Sequence, residues 1–440
     1  NILDAANALI RHNRSRLGKN LWTAESGGEL LRVYEASNDV EEAKFIVDEI
    51  QQLKREGVKL AEIALLYRSN AQSRVLEHAL VSAGLSYRVY GGLRFFERQE
   101  IKHALAYLRL MQNPEDDNAL LRIINFPTRG IGARSIEQLQ EAAKMNSTAL
   151  FDAAARAGGK ASAFITLIES LRSATRELPL PEIMEHVLQH SGLIAHYEAE
   201  KNSAAKRREA EERLENLNEL VNAATLFVHE NEDDSLTAFL THASLEAGEH
   251  QAGDQDDALH LMTVHAAKGL EFHAVFITGL EQGLFPHQNS IDSGELDEER
   301  RLMYVAITRA RRRLYLTFAQ SRMLHGQVSY GRASVFLREL PDELLHWLSP
   351  RFEARNAYTP SFAPQQTLNR ADASPSPASR GGIGAAGAWR IGQRVFHQKF
   401  GEGIITGAKG SGADASVQVN FKRAGSKWLA LEYAKLTAEG

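Results

Sequence analysis

Asp297-Glu298-Glu299-Arg300-Arg301-Leu302-Met303-Tyr304-Val305-Ala306-Ile307-Thr308-Arg309-Ala310-Arg311 runs into Leu314-Tyr315-Leu316-Thr317-Phe318. Its apolar positions recur at helical spacing and then give way to a short apolar run, so it reads as an amphipathic helix entering a strand. Glu298 and Glu299 suit the positive end of that helix's dipole. Arg311, Arg312 and Arg313 suit the negative end or a solvated basic face. Arg309 is expected at the helix end, where its guanidinium can reach out to a phosphate. None of the 440 residues spells the G-x-x-x-x-G-K-[ST] loop that would cradle such a phosphate. The pattern is that of half a nucleotide site.

Outward from this helix the chain alternates. Glu41 to Glu56 is an amphipathic helix closed by Gly57, Ile63-Ala64-Leu65-Leu66-Tyr67 a buried strand, and Ser69 to Ala83 a helix ending at Gly84. Alternation resumes with strands at Leu259–Val264 and Ala274–Thr278, which argues for a parallel sheet covered by helices. Between them, from Arg98 to about Phe227, helix is nearly continuous; Glu230 to Asp257 is rich in acid and ends in a loop. The expected organisation is an α/β domain from residues 1–92 and 259–345, interrupted by a helical domain over 93–258. A Pro-, Ser- and Gly-rich linker follows over 346–388, then a small β domain of four or five strands over 389–440.

Composition allows this and excludes little else. A hydrophobic share of 43% and a charged share of 24% describe an ordinary globular protein. No apolar run approaches the roughly 20 residues of a membrane span. The absence of cysteine removes disulfides and thiolate metal sites. The net charge of −5 does not exclude nucleic acid, because local asymmetry matters more.

The strand Leu261-Met262-Thr263-Val264 leads into His265-Ala266-Ala267-Lys268-Gly269-Leu270-Glu271-Phe272. Small residues at a strand end let backbone approach a ligand closely, and His265, Lys268 and Glu271 offer polar contacts. By itself the segment is also compatible with an ordinary strand-to-helix turn. Together with the arginine helix it resembles motifs V and VI of UvrD/PcrA-type superfamily 1 DNA helicases. Leu66-Tyr67-Arg68-Ser69-Asn70-Ala71-Gln72-Ser73-Arg74 resembles motif IV, and Tyr90-Gly91-Gly92-Leu93-Arg94-Phe95-Phe96-Glu97-Arg98 the segment after it.

The resemblance implies a second RecA-like domain split by a helical insertion, followed by an SH3- or Tudor-like β barrel. Asn1 falls just after the family's Gln-Asn-Tyr-Arg-Ser segment, so the first RecA-like domain is expected to be missing. With it would go the phosphate loop, the acidic pair for Mg²⁺ and the glutamate base. ATP would lie in the cleft between the two RecA-like domains. Arg309 then matches an arginine finger, Arg68 a second arginine facing the terminal phosphate, and Glu271, with Gly269 in its turn, a group near the ribose. His265, His287 and, less directly, Asn70 match contacts to single-stranded DNA. Gly130-Ile131-Gly132, ahead of a helix, matches a contact to duplex DNA.

The same resemblance implies a bacterial, cytoplasmic, nucleoid-associated repair helicase moving 3′ to 5′, with no membrane contact. RNA polymerase and repair proteins would be partners of the tail. Residues 389–440 carry eight Lys/Arg against four Asp/Glu, and Phe396, Phe421 and Trp428 read as core there. The fragment by itself is expected not to hydrolyse ATP. A non-catalytic DNA- and partner-binding module is the alternative; a helicase–nuclease subunit would need a nuclease domain that the tail has no room for. Gly382-Ile383-Gly384-Ala385-Ala386-Gly387 fits G-x-G-x-x-G without a preceding strand, and His186 and His190 lack the H-E-x-x-H glutamate. No dinucleotide or metal site is assigned.

Overall fold

The computed structural model describes residues 1–13, 21–24, 27–203, 205–248, 257–324 and 327–349, and beyond these the strands of the C-terminal region. Residues 350–388 of the expected linker, the glycine-rich stretch 382–387 and the turn residues Lys399 and Phe400 lie outside them. The chain forms two compact units, Asn1–Ala354 and Arg355–Gly440.

In the first unit, α1 (Ile2–Ile10), β1 (Leu31–Asn38), α2 (Asp39–Arg55), β2 (Ile63–Tyr67), α3 (Ser73–Ser82) and β3 (Tyr87–Val89) come first. Nine helices follow: α4 (Gln99–Gln112), α5 (Asp117–Ile123), α6 (Ala133–Asn146), α7 (Leu150–Arg156), α8 (Gly159–Ala174), α9 (Leu180–His190), α10 (Leu193–Glu200), α11 (Arg207–Glu230) and α12 (Leu236–Gly248). The chain then returns to β4 (Leu259–Thr263), β5 (Phe272–Ile277), α13 (Gln288–Asp292), α14 (Leu296–Ile307), β6 (Ala310–Leu324), β7 (Gln327–Tyr330), α15 (Val335–Arg338) and β8 (Leu345–Trp347).

The sheet runs β3-β4-β2-β5-β6-β1-β8, with β7 antiparallel on β6 and all other pairs parallel. Its centre is set by β2, whose five residues are all buried, as a strand covered on both faces requires. Alternation splits the side chains between two cores. Leu314 and Leu316 join α1 and α14 on one face, whereas Tyr315 joins α2 and α3 on the other, stacked on Phe276 at 4.1 Å. The inserted helices enclose their own core around Tyr107, Phe164, Leu217 and Phe239.

Three local readings change. The helix expected from Ser69 starts at Ser73, after a 3-10 turn over Asn70–Gln72 that Ser69 and Gln72 close as a capping box. The acid-rich segment after Glu230 contains α12: between Asp234 and Glu246 it carries no acid, and Phe239, Leu240 and Ala243 are buried there at helical spacing. The strand expected at Leu314 begins at Ala310, because Phe272 of β5 already pairs with it. Arg311 and Arg313 therefore lie on a strand, not a helix end, and pair with Glu62 and with Glu29 and Glu56.

The second unit holds β9 (Arg394–His397), β10 (Gly401–Lys409), β11 (Ser416–Phe421), β12 (Gly425–Ala430) and β13 (Leu436–Ala438), in the order β12-β11-β10-β9-β13 with antiparallel pairing. Val395, Val417 and Val419 are fully buried. Phe396, expected in the core, is 41% exposed, because strand alternation that turns Val395 inward turns its neighbour out.

Candidate functional site

Parallel strands have two distinct edges, and the sequence-identified residues divide between them. Arg68 and Asn70 follow β2, His265 follows β4, and His287 lies on the loop after β5, all at the carboxyl edge. Glu271 immediately precedes β5 and Arg309 immediately precedes β6, at the amino edge. Strands of five or six residues separate the edges by roughly 16–20 Å. The segment Val264–Glu271 spans that distance in a single connection, with Gly269 at φ 88° in its turn.

At the amino edge Arg309 is tied to the turn. Its Nη1 donates to Leu270 O at 2.7 Å, its Nε to Val305 O at 3.0 Å and its Nη2 to Thr308 Oγ1 at 3.1 Å. Phe272 N donates to Arg309 O at 2.9 Å, so the turn and the helix end are fastened to each other. These bonds engage three of the five guanidinium N–H donors. Glu271 is exposed beside them.

At the carboxyl edge the guanidinium of Arg68 grips Glu299 through both Nε and Nη2, at 2.7–3.1 Å, with Glu299 only 2% exposed. Glu299 also accepts from His287 N at 3.1 Å and Ser290 Oγ at 3.0 Å. Its carboxyl is held below the usual range because the Arg68 bonds outweigh the cost of burial. Glu299 therefore does more than complement a dipole. Arg68 and Arg309 meet opposite ends of α14, ten residues or about 15 Å apart along a helix, and are not brought together on one phosphate.

Around Arg68 lies a cavity of about 290 Å³ lined by His265, His287, Arg208, Glu215 and Glu299, among others. Burial and the guanidiniums of Arg68 and Arg208 press the His265 pKa down to about 4, so its imidazole is neutral at physiological pH. Carboxylates of α11 fill the hydrogen-bonding positions here. Glu215 accepts from the hydroxyl of Ser69 and pairs with His287 Nε2 at 3.1 Å; Glu212 meets Asn70 Nδ2 at 3.4 Å, and Glu211 meets Asn289 Nδ2 at 3.2 Å. Glu215 and Arg208 have no distinguishing pattern in the sequence, and only the packing of α11 reveals them.

In the helical portion Gly130 has φ 72° and Gly132 is the N-cap of α6 without a side-chain cap. Lys160 Nζ lies 3.5 Å from Gly130 O. Ile131, grouped with these glycines as a DNA contact, is 3% exposed and donates its N–H to Asn125 Oδ1 at 3.1 Å. It anchors the turn and leaves Gly130, Gly132 and the start of α6 facing outward. His186 and His190 stack at 4.0 Å. Elsewhere His78, His242 and Glu246 converge, although 164 residues separate the two histidines and no sequence spacing signals it.

The chain is thus a mostly parallel sheet interrupted by a helical insertion, with a polar cluster at each strand edge. The chain belongs to the UvrD-like helicase C-terminal domain family, whose model matches residues 1–321. The PcrA/UvrD tudor domain matches residues 391–437. Among relatives, the chain is 46% identical to DNA helicase II of Escherichia coli (strain K12), covering 99% of this chain and 60% of that protein. It is 39% identical to ATP-dependent DNA helicase PcrA of Bacillus subtilis (strain 168), over 96% and 58%. It thus spans about 60% of the length of these relatives. No helix among the described residues is long and apolar enough to cross a membrane.

Proposed function

We propose that the chain is the second half of an ATP-dependent DNA helicase that moves 3′ to 5′ and acts in bacterial DNA repair. The observation that carries this reading is the division of the site residues between the two sheet edges. One edge presents a guanidinium and a carboxylate suited to the outer part of a bound nucleotide. The other presents hydrogen-bonding groups suited to a DNA strand. The turn Val264–Glu271 reaches both, which provides a short mechanical link between them.

ATP, when bound, supplies the free energy of phosphoanhydride cleavage. Arg309 offers a guanidinium to the terminal phosphate, Glu271 an acceptor pair to the ribose, and Gly269 gives the turn its close approach. Mg²⁺ is left to the domain that carries the phosphate loop. Arg68, expected to face the terminal phosphate, is better read as a positioning residue: it fixes Glu299, which fixes His287. His265, His287 and Asn70 contact the single strand. Gly130, Gly132 and Lys160 meet the duplex, and residues 389–440 reach protein partners, with RNA polymerase and repair proteins as candidates.

The decisive experiment is Arg309→Ala in the chain joined to its phosphate-loop domain. ATP turnover is expected to fall by about a thousandfold, with single-strand affinity retained. Turnover equal to the parent's removes the assignment.

A further inference from the structure

We infer that His78, His242 and Glu246 form a binding site for a borderline transition-metal dication, Zn²⁺ or a similar ion, that staples the helical insertion to the sheet domain. Two imidazoles already converge on one carboxylate oxygen. His78 Nδ1 lies 2.6 Å and His242 Nε2 3.2 Å from Glu246 Oε1, and the ligand atoms fall within 4.8 Å of one another. His242 and Glu246 are one turn apart on α12, so one helix face presents both. His78 comes from α3 across the interface.

Nitrogen and carboxylate ligands in a two-histidine, one-glutamate set suit Zn²⁺, with a fourth position left to water. The surroundings also fit. The second ring nitrogen of His78 faces Glu230 Oε2 at 3.3 Å, which is the outer carboxylate that commonly fixes the tautomer of a ligating histidine. The His242 ring packs against Phe227, with centroids 5.3 Å apart, which limits its rotation. Glu246 is 11% exposed, so its carboxylate is aimed at the two histidines and not at solvent. Arg74, one turn before His78 on α3, is occupied by Glu219 at 2.5 Å.

The ion would join α3 of the sheet domain to α12 of the insertion, across a junction that the Arg74–Glu219 ion pair of α3 and α11 also spans. Its effect is to stiffen the insertion's attachment.

The test uses the 440-residue chain, stripped of metal by chelator, titrated with Zn²⁺ by calorimetry and with Co²⁺ by visible absorption. One equivalent is expected to bind, with d–d bands of a low-coordinate nitrogen–oxygen site and a rise in melting temperature. His242→Phe keeps the packing against Phe227 and removes a ligand; Glu246→Gln keeps the shape and removes the charge. Each should retain the melting temperature of the metal-free parent to within a few degrees yet lose both the Co²⁺ bands and the Zn²⁺-dependent rise. Glu230→Gln should weaken binding by roughly tenfold or more. No binding by the parent, or unchanged stoichiometry and spectrum in both ligand variants, overturns the assignment.

Discussion

His265 gains its character from neighbours far away in sequence. With a pKa near 4 it carries no charge at neutral pH, so it can hold a phosphate by a hydrogen bond but releases no counterion. In the chain joined to its phosphate-loop domain, His265→Ala is therefore expected to weaken single-strand binding without changing its salt dependence. Arg208→Ala should lower the logarithmic salt slope by about 0.7. Titrations across a salt series distinguish the two, and an equal loss of slope in both variants would reject the neutral assignment. His103 behaves similarly in the helical core. Burial holds its pKa at about 4, its ring stacks on Phe126 at 3.9 Å, and its Nδ1 is buried without a hydrogen bond. The unfolded chain binds that proton near pH 6.5 and the folded chain near 4, so stability falls as the pH drops through this window. His78, with its pKa raised chiefly by the Glu246 hydrogen bond, acts with the opposite sign and loses its contribution as the pH rises. Comparison with His103→Phe isolates the His103 share: the parent should lose about 2 kcal/mol more than the variant between pH 7 and 5 in denaturant unfolding.

Helix α11 shows what an element adds beyond its residues. Its buried stripe, Leu214, Leu217, Val221 and Phe227, is legible as helical periodicity, and so is its charged face. That the charged face closes on Ser69, Asn70 and His287 is a fact of packing. Glu212 and Glu215 occupy donors of Asn70, Ser69 and His287, at the edge where the proposed function puts a DNA strand. Glu212→Gln with Glu215→Gln in the joined protein is expected to tighten single-strand binding about fivefold, from roughly 1 kcal/mol of relieved repulsion. Fluorescence anisotropy with a short labelled strand measures it, and unchanged or weaker affinity counts against α11 as an electrostatic cover. Strand β6 makes the complementary point. Its apolar stretch was readable, but its start at Ala310 was decided by pairing with Phe272. Near its far end Arg322 bonds Glu281 at 2.7–2.9 Å and also Glu42.

At the scale of the whole molecule, the sheet separates Arg309 and Glu271 at one edge from Arg68, Asn70, His265 and His287 at the other. The residues in place suit the outer part of a nucleotide, and no G-x-x-x-x-G-K-[ST] loop occurs in the chain to hold its inner phosphates. The 440-residue chain by itself is accordingly expected to show no DNA-stimulated ATP hydrolysis. Detectable turnover in a phosphate-release assay, sensitive to Arg309→Ala, would sink that expectation. The proposed metal staple acts at this scale too, since it links two bodies that fold around separate cores.

Local pattern was enough to read the α/β alternation, the helical interruption, the strand-rich tail and the identity of the two motif segments. Each rests on periodicity or on residues adjacent in the chain. The resemblance of those segments is what put forward Arg309, Glu271, His265 and His287 as candidates. Tertiary structure decided what those residues face. Strand direction sent Arg309 and Glu271 to one edge and Arg68 to the other, and Glu299 took the guanidinium that sequence had pointed at a phosphate. It also buried Ile131 and brought His78 to His242. Such pairings depend on contacts between segments more than a hundred residues apart, and no local spacing encodes them.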